Sequence, residues 1–155
     1  MKCDLSKLNN KNCKGNEGVI RKNIKHMNKN EIQFLKTILK NINIVCISEH
    51  AKEKQLINIK DVKNVIKLKK FQIIDYDYNV SSKEERIMIR TKDIYKIQDS
   101  NSKIEDCYLK IVISITSCCI ITVWANKVED EKAKQNSLKN RYYDNFDIIN
   151  KKLKF

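Results

Sequence analysis

The sequence predicts an α+β domain in which N-terminal helices lead into a central antiparallel sheet of about four strands, closed by a C-terminal helix. Three observations lead there. Apolar residues recur at helical spacing over 32–42 and again over 59–66. The period then becomes strand-like over 71–76, 86–90, 108–115 and 118–125, rich in branched and aromatic residues. Finally Leu138, Tyr142, Phe146, Ile149 and Leu153 return to steps of three or four, which predicts an amphipathic helix over about 130–153.

In chain order, residues 1–29 are rich in Lys and Asn, contain both glycines (Gly15 and Gly18), and read as a flexible basic arm before a single domain over 30–155. Asn30 is the expected N-cap of a helix running to about Asn41, which buries the stripe Ile32, Leu35, Ile38, Leu39 and Ile42 and leaves Lys36 and Lys40 in solvent. An edge strand is expected over 43–47. Ser48 then caps a second helical segment, with His50 in its first turn, and Asn58 separates that segment from a third. Residues 80–85 read as the turn of a hairpin. The stretch 92–106 is polar and reads as irregular, and Thr116 and Ser117 join the two most apolar strands.

The chain has 155 residues, enough for one core but not two. A net charge of +13 suits a phosphate-bearing partner. Yet 28 of the 32 basic residues are Lys, beside 18 Asn and 24 Ile, a composition that an A/T-rich coding sequence also produces. The charge is spread along the chain, so any basic patch must be assembled by folding. No run of about 18–20 apolar residues and no apolar leader are present, so a soluble cytoplasmic protein is expected. The C-terminal basic amphipathic segment would suit a membrane surface, but Asp144 and Asp147 dilute its charge. Six cysteines without a CxxC pair read as reduced thiols, and no metal or cofactor is expected.

The segment ISEHAKEK at a helix start and IITVWAN at a strand end carry a resemblance. They resemble a family of small bacterial and phage domains with a His-Ala pair followed by a basic residue. That family is grouped with the RelE and BrnT toxins among the barnase, EndoU, colicin and RelE ribonucleases, which need no metal. The resemblance spans about residues 44–127 and implies a RelE-like fold. It places the family's histidine on His50, its basic position on Lys54 where Arg is more usual, and its aromatic on Tyr76. Its strand arginines fall on Arg86 or Arg90, and its strand-end motif on Thr122, Trp124 and Asn126, with Trp where Tyr is more usual.

Metal-free RNA cleavage needs a base, an acid and cations around the phosphorane. The residues themselves offer such a set. Alternation places Thr122 and Trp124 on one strand face with Asn126 just beyond, and Arg86 and Arg90 together on another. His50 would move protons, Arg86 and Arg90 would clamp phosphate, Thr122 and Asn126 would hydrogen-bond, and Lys54 would add charge. Trp124 or Tyr76 would stack on a base. The expected function is therefore ribonuclease-like or RNA-binding, as in a toxin or a phage-encoded protein, with RNA (tRNA included) and an antitoxin or immunity protein as partners. The alternative is a catalytically inactive interaction module that binds a host protein or nucleic acid.

Overall fold

The computed structural model describes residues 19–53, 58–99, 101–129, 142–143 and 146–151. In chain order these form β1 (Val19–Asn23), a 3-10 turn (Ile24–His26), α1 (Lys29–Asn41), β2 (Cys46–Ile47), α2 (Glu49–Glu53) and α3 (Ile59–Lys67). There follow β3 (Phe71–Asn79), β4 (Glu84–Thr91), β5 (Tyr95–Asp99), β6 (Ile104–Ser114), β7 (Cys119–Lys127), β8 (Tyr142–Tyr143) and β9 (Phe146–Lys151). Among the described residues no helix is long and apolar enough to cross a membrane.

Local chemistry sets the helix starts. The Asn28 side chain accepts from Glu31 N (2.8 Å) while the Glu31 carboxylate accepts from Asn28 N (3.1 Å), so two orphan amides of α1 are satisfied reciprocally. The same box, built from Asn58 and Asp61, opens α3. Ser48 caps α2, its hydroxyl accepting from Ala51 N at 3.1 Å. The start of α1 therefore precedes the expected Asn30 cap: the box forms at Asn28 and Glu31, and Asn30 lies within the first turn.

β6 is the axis of the sheet. Along one edge its C-terminal half pairs with β4 and its N-terminal half with β5; β7 follows the other edge. β4 and β5 thus run end to end beside β6, broken where Thr91 substitutes for the ladder: its hydroxyl accepts from Leu109 N (3.0 Å) and donates to Asp93 O (3.2 Å). β3 extends β4, β1 extends β3, and β9 extends β5, all antiparallel. On the far side β7 pairs with β8 antiparallel and with β2 parallel. One sheet face carries Ile73, Ile87, Ile89, Ile111, Ile113 and Val123, each at most 2% exposed, packed against Leu35, Leu39, Ala51, Val62 and Val65 of the helices. Burying this many branched side chains is the main favourable contribution to the fold.

The architecture corrects the expectation. A RelE-like α+β domain with a four-stranded antiparallel sheet and a C-terminal helix is not what the chain forms. The described residues make a mostly-β fold, with nine strands in one mixed sheet and three short helices. The segment read as a C-terminal helix supplies β8 and β9 instead, and its residues 130–141 lie outside the described residues. The physical reason is the free edge of β5: the backbone donors and acceptors of Tyr95–Asp99 need partners, and 146–151 supplies them. β5 itself lies in the stretch read as irregular, although Tyr95 and Ile97 alternate with polar residues and are buried. Of the arm, residues 19–23 form β1, where Lys22 is 2% exposed; residues 1–18 lie outside the described residues.

Candidate nucleic-acid interface on the outer sheet face

Among the described residues the helices pack on one face of the sheet, and the second face carries mostly polar side chains. Strand register arranges its side chains in rows. Arg21, Asp77, Arg86 and Ser114 are successive neighbours in one row. Asn23, Asp75, Met88, Val112 and Thr122 form the next. Gln72, Arg90, Lys110 and Trp124 form a third, and Tyr108 stands opposite Asn126 in a fourth. Two irregularities set these phases: one between Ile73 and Asp75 in β3, one between Val112 and Ile113 against β7.

The first row is an ion-pair network. Arg21 Nε lies 2.7 Å from Asp77 Oδ1, and Arg86 reaches both carboxylate oxygens of Glu84 at 3.0 and 3.2 Å. The hydrogen bond from Arg86 holds the Glu84 carboxyl below the usual carboxylate range. In the second row burial raises the Asp75 carboxyl, against the opposing hydrogen bond from Asn23 (2.9 Å).

The third and fourth rows combine cations with aromatic rings. The Arg90 guanidinium sits 5.0 Å from the centre of the Tyr108 ring and donates to Gln72 Oε1. Lys110 lies between Arg90 and Trp124 in register. The Trp124 indole N–H donates to Asn126 Oδ1 (3.0 Å), so the half-buried ring has its polar atom satisfied.

Of the predicted site residues, Arg86, Arg90, Thr122, Trp124 and Asn126 come to this one face. Asn126 is 2% exposed, so it supports the indole from beneath more than it meets a ligand. His50 is exposed on α2, whose Ala51 packs into the helix-side core, and it belongs to none of the strand rows that hold these residues. Tyr76 is 1% exposed on the inner face and donates to Glu85 Oε2 (2.9 Å), a position from which it cannot stack on a base. Lys54 lies outside the described residues.

Tyr108, Lys110 and Gln72 belong to the cluster and were not singled out from the sequence. A signal existed: Tyr108 and Lys110 alternate with buried Leu109 and Ile111, and pairing that segment with the strand of Trp124 puts them beside the indole. Among the described residues no group of three His, Cys, Asp or Glu could hold a metal ion. The four described cysteines, Cys46, Cys107, Cys118 and Cys119, are in the thiol form, and burial together with neighbouring Cys46 pushes the Cys119 thiol up to about 11. No protein family, curated protein or solved structure matches the chain.

Proposed function

We propose that this protein binds single-stranded RNA on the sheet face opposite its described helices. The reading rests on the row Gln72, Arg90, Lys110 and Trp124, with Tyr108 beneath Arg90. Single-stranded RNA exposes base faces and phosphates together. A sheet that presents an indole and a phenol beside two cations matches both. Trp124 and Tyr108 stack on bases, Arg90 and Lys110 meet phosphate, and Thr122 and Gln72 hydrogen-bond to sugar or base edges. Binding is favoured over cleavage because cleavage requires a proton-transfer group within hydrogen-bond or single-water reach of the phosphate, and the described strand rows of this face contain no histidine.

Trp124 is the single tryptophan of the chain, so its fluorescence reports directly on this face. Titration with a short single-stranded RNA is expected to quench it. Arg90→Ala is expected to weaken binding about tenfold, the loss of about 1.4 kcal/mol expected from removing one charged contact. Neither quenching nor a change in RNA anisotropy in wild type would refute the reading. RNA cleavage in EDTA that disappears in His50→Ala would put the ribonuclease in its place.

A further inference from the structure

On the other side of the molecule, α1, α3 and the start of β3 enclose an open groove of about 840 Å³. Six lysines line it: Lys36, Lys40, Lys63, Lys67, Lys69 and Lys92, all exposed. Among the described residues its lining includes no Asp or Glu, and the remaining polar lining consists of neutral Gln, Thr and Asn side chains. Leu39, Ile44 and Phe71 close the floor as part of the core. In a chain whose other surface cations include several in ion pairs, this concentration of one sign in one concavity is a local feature.

Its arrangement is regular. Lys36 and Lys40 are four residues apart on α1, and Lys63 and Lys67 are four apart on α3, so each helix offers two cations separated by about 6 Å of rise. Like charges at this spacing disfavour a helix, and two such pairs face the same groove. Lys69 adds a second cost. It follows the C-cap of α3 at φ 56°, the left-handed position that glycine prefers, with Lys69 N donating to Ile66 O and Lys70 N to Val65 O. A polyanion lying in the groove relieves the repulsion within the two helical pairs.

Lysine identifies the kind of anion. Its ammonium is a mobile point charge without the planar fork by which Arg selects one phosphate geometry, so a row of lysines follows a chain of phosphates of variable conformation. The groove lies at the end of the sheet where β3 begins and β4 ends: Lys92 N donates to Lys70 O there, two residues past Arg90 in sequence.

We propose that the groove between α1 and α3 is the backbone track of the same nucleic acid, holding its phosphates while the sheet face holds its bases. This rests on the RNA reading above. The two sites contribute differently: the groove supplies the sequence-independent, salt-dependent part of affinity, and the sheet face the stacking part.

The test is the salt dependence of RNA binding, measured by anisotropy on the full chain. One variant carries Lys36→Gln, Lys40→Gln and Lys67→Gln. A control carries Lys25→Gln, Lys52→Gln and Lys83→Gln, three exposed lysines away from the groove. At about 0.7 counterions per phosphate on a single strand, the groove variant is expected to lose about two from the slope of log K against log salt. That corresponds to roughly 100-fold weaker binding near 0.1 M salt, with Trp124 quenching retained at saturation. The control is expected to change far less. If wild type binds and quenches but the groove variant keeps its slope, or the control loses as much, the track is overturned and the sheet-face reading stands. If wild type binds no RNA, both fall.

Discussion

At the level of single residues, the sheet face differs from an ordinary solvated one by what its charges touch. Arg86 and Arg21 are held by carboxylates, Arg90 lies on a ring, and Asp75 is forced toward its neutral form by burial. That last shift predicts a pH dependence. A carboxyl whose folded pKa is raised contributes stability that is fully present below its unfolded value, near about 3.9, and lost as pH rises through the folded value. Asp75→Asn removes the loss and keeps an oxygen to accept from Asn23. Its melting temperature is expected to equal that of wild type near pH 3 and exceed it at pH 7. A variant less stable than wild type at pH 7 would show that attraction to Arg21 and Lys110 outweighs burial.

Among the elements, β1 shows how a polar, lysine-rich segment becomes part of a fold. Lys22 points to the inner face and its ammonium lies 2.7 Å from Glu31 Oε2, with the two side chains 3% and 12% exposed. Glu31 simultaneously caps α1, so one carboxylate ties the edge strand to the helix start. Removing one member leaves the other charge nearly buried. Lys22→Ala is expected to lower unfolding stability by about 3 kcal/mol in urea denaturation, and Lys22→Met with Glu31→Gln to recover much of that. A loss under about 1 kcal/mol would mean that water reaches Glu31 freely and the pair is effectively a surface one.

For the whole molecule, the topology is dominated by distant pairings. β2 joins β7 in parallel, and Ser48 hydrogen-bonds to Ile121, 73 residues away. β1 joins β3 with Arg21 paired to Asp77, 56 residues away. Such contacts come late, after much loop-closure entropy has been lost, so refolding in milliseconds to seconds is expected. The chain contains no proline, which removes the usual source of slower phases. Stopped-flow refolding followed by Trp124 fluorescence is expected to finish within seconds, and a major phase of tens of seconds would contradict this account.

Local rules made several elements readable from the residues alone. The asparagine at position 58 and the serine at position 48 start helices because their side chains accept backbone N–H groups nearby. Alternation in 86–90 and 118–125 placed Arg86 with Arg90, and Thr122 with Trp124, because side-chain direction in a strand depends only on parity. Tertiary structure decided the rest. Whether 146–151 coils as a helix or extends as β9 depended on the free edge of β5, a partner distant in sequence. Which face each strand turned inward, and hence that Tyr76 is core while Arg90 and Trp124 share a row, depended on register and on two irregularities in it. His50 stands on α2, outside the strand rows, and six scattered lysines became one groove by the packing of α1 on α3. These are relations between segments, and a linear sequence records them only through the contacts that folding makes.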